Sequence, residues 1–148
     1  MWIEDKKKRA TLARKKERTN MEFPAELKYT KDHEWVKVDG NRITVGITAF
    51  AVEQLGDITL VNVDVKVGDE LAAGKAFGTI ESVKTLSDLY APLSGKVADV
   101  NKDLDAKPEL VNEDPYGAWM VVIEVSDAGA IAGLLDAQSY SEHVKASA

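Results

Sequence analysis

No cysteine occurs in this chain, and only His33 and His143 supply imidazoles. Disulfides, thiolate metal centres and cysteine nucleophiles are thereby excluded, and a histidine-based metal site or catalytic triad would rest on one of two residues far apart in sequence. No apolar run approaches the roughly 18 to 20 residues that a membrane-spanning helix needs. The glycine-rich fingerprints of phosphate- and dinucleotide-binding loops are missing. Ser82, Ser87 and Ser94 offer hydroxyls, but none sits in a nucleophile motif with a base and an oxyanion site to complete it. These absences point away from an enzyme, a metal site and a membrane protein, and the lack of cysteine fits a reducing compartment.

What is present is 148 residues, 45% hydrophobic and 30% charged, enough for one domain with its own core. Charge is unevenly spread. Residues 1–20 hold eight Lys or Arg against Glu4, Asp5 and Glu17, a net +5, which leaves −11 for the rest of a chain whose total is −6. An acidic body disfavours nucleic-acid phosphates and favours contact with basic protein surfaces. The head reads as a basic, disordered N-terminal extension. A start at Met21 and a targeting segment are the other readings, although the head has neither a long apolar stretch nor the composition of a transit peptide. Residues 21–148 are expected to form the folded domain.

The body is strand-rich. Trp35-Val36-Lys37-Val38 alternates apolar and polar, Arg42-Ile43-Thr44-Val45 follows, and Asp39-Gly40-Asn41 between them has turn chemistry, which predicts a hairpin. Thr48 is placed to cap a short helix over 49–55 that Gly56 stops, with Phe50, Val52 and Leu55 on its buried face. Short strands are expected at 58–63, 70–71, 76–81, 86–90, 95–100 and 119–125, separated by turn residues such as Gly68-Asp69 and Ser94-Gly95. Many short strands with frequent turns indicate a small mostly β sandwich or barrel. Pro108 and Pro115 mark a longer irregular connection. In the tail, Ser126 or Asp127 is placed to cap a helix containing Ile131, Leu134 and Leu135, and Asp136 a second one towards His143.

Lys84 is one of eleven Lys or Arg after residue 20 and would ordinarily be read as a solvated turn residue. Its context differs. Predicted strands lead into Ser82-Val83-Lys84-Thr85 and out of it, so the lysine sits near a hairpin tip, open to solvent yet held by a ladder on each side. Those are the needs of a side chain that another enzyme must acylate and that must afterwards swing.

An ordered set of segments resembles the H-protein family of the glycine cleavage system. The set comprises Asp32-His33-Glu34-Trp35, Gly46-Ile47-Thr48, Glu53-Gln54-Leu55-Gly56-Asp57, residues 77–88, Ala91-Pro92-Leu93-Ser94-Gly95, and residues 110–116 with Trp119. The likeness spans about 27–140. It implies a lipoyl/biotinyl-carrier fold, a flattened barrel of two sheets with a short internal helix and C-terminal helices. It also implies a non-catalytic carrier with lipoate in amide linkage to Lys84. The family's partners are the pyridoxal-phosphate glycine decarboxylase, the tetrahydrofolate-dependent aminomethyltransferase, dihydrolipoyl dehydrogenase and the lipoylating enzymes, with no nucleic acid and no membrane among them. The expected compartment is the bacterial cytoplasm, with the mitochondrion as the other option.

Four further residues match family positions. Gly68 and Glu81 correspond to positions that lipoylating enzymes recognise, while turn geometry and an exposed strand carboxylate are their plain readings. Glu34 and Asp88 correspond to positions lining the cleft where the aminomethylated arm docks, and for Asp88 an ordinary surface charge stands beside that reading. His33 borders the same segment and reads equally as a structural histidine. The chain departs from the family at Thr85-Leu86, where small residues are usual, and at Val63-Asp64-Val65, where a proline is usual. An H-protein-like carrier serving lipoyl relay to 2-oxoacid dehydrogenases is the alternative. A biotin carrier is disfavoured, because Val83 and Thr85 flank the lysine in place of methionines.

Overall fold

The computed structural model of the chain describes residues 23–147. The basic head lies outside the described residues. The described part holds nine strands: β1 (Lys28–Tyr29), β2 (Glu34–Asp39), β3 (Arg42–Ile47), β4 (Ile58–Val63), β5 (Glu70–Leu71), β6 (Ala76–Ser82), β7 (Leu86–Tyr90), β8 (Gly95–Val100) and β9 (Val121–Val125). They form two antiparallel sheets, six strands in the order β1-β2-β3-β9-β8-β5 and three in the order β4-β6-β7. The expected two-sheet, mostly β architecture is therefore present.

Strand alternation explains the sandwich. Val36, Ile43, Val45, Val97, Val121 and Ile123 of the large sheet are buried in one cluster with Val61, Phe77, Ile80 and Leu89 of the small sheet. The β2–β3 hairpin forms at the expected place, in register from Glu34↔Ile47 to Asp39↔Arg42. Helix α1 (Ala49–Leu55) follows, with the Thr48 hydroxyl accepting from the Ala51 amide at 3.2 Å and the Gly56 amide donating to the Val52 carbonyl. Phe50 and Ala51 are its fully buried residues, while Val52 and Leu55 pack half-buried on the core.

Three local expectations change. The connection read as irregular contains two short helices, α2 (Asp103–Ala106) and α3 (Leu110–Glu113), because Leu104 and Val111 plug into the core from them. Asn112 of α3 also exchanges two side-chain hydrogen bonds with the backbone of Ile58, completing the start of β4. The last strand begins at Val121, not residue 119; the Trp119 carbonyl is claimed by the Asn101 side chain at 2.8 Å. The first tail helix is a 3-10 helix, Ala128–Gly133, capped by Asp127. Two glycines in six residues weaken an α-helix there.

The tail ends in α4 (Ala137–Ser147), whose start is capped by Asp136 accepting from the Ser139 amide at 2.8 Å. This helix completes a second cluster of Phe23, Leu27, Tyr29, Trp35, Phe50, Tyr140 and Val144. Tyr29 and Tyr140 stack with centroids 4.7 Å apart, and Phe23 meets both edge-on. The buried Tyr140 hydroxyl lies 2.7 Å from the Thr48 hydroxyl and 2.9 Å from Nδ1 of His33.

Replacing Tyr140 by Phe keeps the ring stack and strips the shared hydroxyl from two neighbours. Removing one partner of a buried hydrogen bond costs about 1–3 kcal/mol. Urea unfolding of Tyr140→Phe should show a loss in that range with an unchanged m-value; a loss below about 0.5 kcal/mol would mean that the hydroxyl contributes little.

Candidate functional site

The β6–β7 ladder sets the site. Its register runs to Glu81↔Leu86, and Ser82-Val83-Lys84-Thr85 makes the turn. Ser82 organises that turn: its amide donates to the Thr85 carbonyl at 2.9 Å, and its hydroxyl accepts from the amides of Lys84 and Thr85, both at 3.2 Å. The Val83 amide donates to the Asp57 carbonyl at 3.0 Å, tying the tip to the segment after α1. Lys84 is exposed while its backbone is held.

The lysine stem lies over Gly56. A Cβ built on Gly56 would stand 3.4 Å from Lys84 Cε and 3.5 Å from Cδ. Gly56 also has φ +81, a conformation that only glycine adopts easily. Its chain neighbour Leu55 lines a cleft of about 270 Å³.

The cleft runs between β7 and the segment 31–34, over α1. Ile47, Ala51, Leu55, Ile80 and Leu89 give it apolar walls, and Asp32, His33, Glu34 and Asp88 give it polar ones. Glu34 and Asp88, expected from the resemblance to line one cleft, do line the same one, and His33 borders it. Glu81 is not part of it. This residue is exposed on β6, opposite Leu60 on one side and Leu86 on the other. Gly68 stands apart as well, in a turn where its amide donates to the Val97 carbonyl and its φ is +97. A Cβ there would meet nothing within 4 Å, so backbone conformation, not space, calls for glycine.

Glu34 is the unusual group. It is only 3% exposed. The Thr30 hydroxyl donates to its Oε1 at 3.1 Å, whereas Oε2 is buried and has no hydrogen-bond partner among the described residues. Burial pushes the Glu34 carboxyl up to about 8; the Thr30 hydroxyl opposes this, the nearby Asp32 charge adds to it, and the Tyr90 backbone amide opposes it. A carboxylic acid is therefore the main form of Glu34 at neutral pH.

His33 is held in a left-handed conformation, φ +66, alone among the described non-glycine residues. Its ring packs against Phe50 at 4.8 Å and stacks on His143 at 5.4 Å. Burial, then the neighbouring His143, lowers its pKa. Strained backbone persists where surrounding structure holds it, and here the Tyr140 hydroxyl and the two rings do so. Both readings of His33 apply: it is a structural histidine and it borders the cleft.

Comparison with known proteins follows the same outline. The family model for the glycine cleavage H-protein matches residues 27–147. The chain belongs to this family. Glycine cleavage system H proteins of Halalkalibacterium halodurans and Bacillus licheniformis are 54% and 52% identical to it. Those matches cover 82% and 84% of this chain and 95% and 98% of the relatives. The crystal structure of a glycine cleavage system H protein from Mycobacterium marinum superposes with a TM-score of 0.73 at 38% identity, over 81% of this chain and 97% of that one. As an H-protein family member the chain is a non-catalytic lipoyl carrier of glycine cleavage. No helix among the described residues is long and apolar enough to cross a membrane.

Sequence reasoning missed the groups that hold the site: the Ser82 hydroxyl, the Thr30 hydroxyl and the bed that Gly56 offers to the lysine stem. Ser82 alone carried a signal, since a serine two residues before a turn amide is a common turn former. The raised Glu34 carboxyl makes a testable demand. In the folded state it holds a proton that the unfolded chain, with its ordinary value near 4.5, releases. Stability contributed by this group therefore falls as pH rises from about 4.5 to about 8. Glu34→Gln should flatten that part of the stability–pH curve in urea titrations; an identical slope in both proteins would show that Glu34 ionises normally.

Proposed function

We propose that Lys84 carries the lipoate in amide linkage and that the adjoining cleft receives the loaded arm. The observation that carries this reading is one juxtaposition: an exposed lysine on a pinned hairpin tip, its stem over Gly56, whose chain neighbour Leu55 lines a largely apolar cleft that contains an unpaired buried carboxyl oxygen. The residues fit such a group. Amide formation removes the ammonium charge, so a hydrocarbon arm can lie on Leu55, Ile80 and Leu89 without the desolvation penalty of an ion. When attached, the lipoyl group supplies the sulfur pair that takes up and releases the cargo.

The chain's own residues supply attachment, reach and shelter. Ser82 keeps the tip in one geometry, and the tether raises the arm's effective concentration at each partner site. Glu34 responds to charge. An entering ammonium group favours its carboxylate, so binding such a cargo expels a proton and leaves a charge-assisted pair in a sheltered site. Asp88 contributes a second carboxylate from the rim. This preference suits a cationic aminomethyl cargo and offers nothing to a neutral acyl group, which favours glycine cleavage over relay to 2-oxoacid dehydrogenases. The partners are then glycine decarboxylase, aminomethyltransferase and dihydrolipoyl dehydrogenase, with Gly68 and Glu81 serving recognition by the lipoylating enzymes. A cytoplasmic setting accords with bacterial relatives and the absence of cysteine.

Intact-mass analysis of protein from lipoate-replete cells tests the assignment. One lipoyl addition should map to Lys84 and vanish in Lys84→Arg, which should keep the wild-type unfolding transition yet fail to support glycine cleavage. An unmodified wild-type chain, or a modified Lys84→Arg chain, would reject it.

A further inference from the structure

The loop that leads into the cleft wall carries a histidine where glycine is the easier choice. Lys31, Asp32 and His33 form that loop, between Thr30 and Glu34. The His33 amide donates to the Thr30 carbonyl at 3.2 Å, and the Thr30 amide donates to the Glu34 carbonyl at 3.0 Å. In such a hairpin loop a tight turn is followed by one left-handed residue, and glycine takes that place at least cost. His33 takes it with φ +66. Glycine would serve the turn as well, so the ring answers to something other than turn geometry. Helix α4 grips the ring and its loop at two points. The Tyr140 hydroxyl lies 2.9 Å from His33 Nδ1. His143 stacks on the same ring, and its Nε2 donates to the Lys31 carbonyl at 3.2 Å.

Glu34 is the next residue, and the same loop tethers it. Its amide donates to the Thr30 hydroxyl at 3.3 Å, and that hydroxyl donates to Oε1 at 3.1 Å. The His33 carbonyl accepts from the Thr48 amide at 3.0 Å, so the backbone just before Glu34 is held on both sides of the ring. We propose that Tyr140 is a positioning residue for Glu34: through the His33 ring it fixes the backbone from which this carboxyl enters the cleft, and with it the grip on a cationic arm. The inference rests on the reading that the cleft receives the loaded arm. Hydrogen bonding supports the chain of contacts. The Thr48 oxygen already accepts from the Ala51 amide, so its own proton can go to the Tyr140 oxygen 2.7 Å away. The Tyr140 proton then goes to Nδ1 of a neutral His33, and burial followed by the nearby His143 favours that neutral form. Without the hydroxyl, Nδ1 loses this partner and the left-handed backbone loses a support. Relaxation of the loop towards negative φ turns Glu34 from its apolar wall towards water.

Carbon-13 NMR of the Glu34 carboxyl, followed against pH in the unmodified full chain, tests the proposal. Lys31, Asp32 and, on β7, Asp88 are the charged side chains that share the cleft with Glu34, and all variants retain them. Tyr140→Phe should raise the acid ionisation constant of Glu34 by on the order of tenfold in a protein that stays folded. His33→Gly alone should keep Glu34 as in wild type, since glycine holds φ +66 unaided, and adding Tyr140→Phe to it should then change nothing. His33→Asn, which also tolerates the left-handed region, gives the same comparison should the glycine variant not fold. Thr48→Val removes the hydroxyl's other partner and a helix cap; it should lower Tm and leave Glu34 unmoved. An unmoved Glu34 in Tyr140→Phe would overturn the proposal. So would an equal change in Thr48→Val, which means general loosening, a change in His33→Gly alone, which means cover by the ring, or an effect of Tyr140→Phe that persists in the His33→Gly background. The cleft reading is separated by loading the lipoylated chain with glycine and glycine decarboxylase. Methyl signals of Leu55, Ile80 and Leu89 should then shift. If they stay in place while Glu34 behaves as expected, the arm lies elsewhere, and the cleft reading fails while the positioning of Glu34 stands.

Discussion

The hydroxyl of Tyr140 joins three parts of the molecule that sequence keeps far apart. It meets the Thr48 hydroxyl that caps α1 and the Nδ1 of His33 in the cleft wall, while its ring stacks on Tyr29 of the edge strand. One buried polar atom thus couples the C-terminal helix to the floor and to the rim of the cleft. Buried hydroxyls are costly unless paired, and with two partners 2.7 and 2.9 Å away this one is well paired. The strained backbone of His33 depends on the same contact. Helix α4 is therefore more than a cover on the barrel: it braces the segment that carries Glu34.

Two opposite demands meet within a short distance on this scaffold. Lys84 is exposed, and its turn is held through backbone amides and the Ser82 side chain. Glu34 is sheltered in a largely apolar wall with one oxygen unsatisfied. Leaving a buried carboxyl half-paired costs stability. Such groups concentrate where chemistry or binding uses them, and the position of Glu34 in the wall of the cleft accords with that rule. Gly56 links the two sites, because its missing side chain makes room for the stem and its φ ends the helix that floors the cleft.

Much of this was legible in the chain itself. Alternation located the β2–β3 hairpin and most strands, and Thr48 and Gly56 located α1, because these signals are local. The segment 103–113 was read as irregular because its two helices are only a turn long and are stabilised by Leu104 and Val111 entering the core, which no local period announces. Two-residue β1 escaped for the same reason: its pairing with β2 and with Leu135 exists only once the tail has docked. The family resemblance assigns Glu34 and Asp88 to one cleft, but nothing in their spacing says so, and nothing in it announces that Glu34 is buried with one oxygen unpaired.

By itself, then, the sequence determined the class of fold, the turn that presents Lys84 and the family to which the chain belongs, since periodicity, turn residues and ordered motifs are written along one dimension. Tertiary structure decided the rest. It made Glu34 a neutral acid by burying it, placed the lysine stem over Gly56, and aligned Leu60, Glu81 and Leu86 in one row. Each of these depends on which strands pair and how the two sheets close. Burial and register are properties of the assembled sheets, and no single stretch of chain contains them.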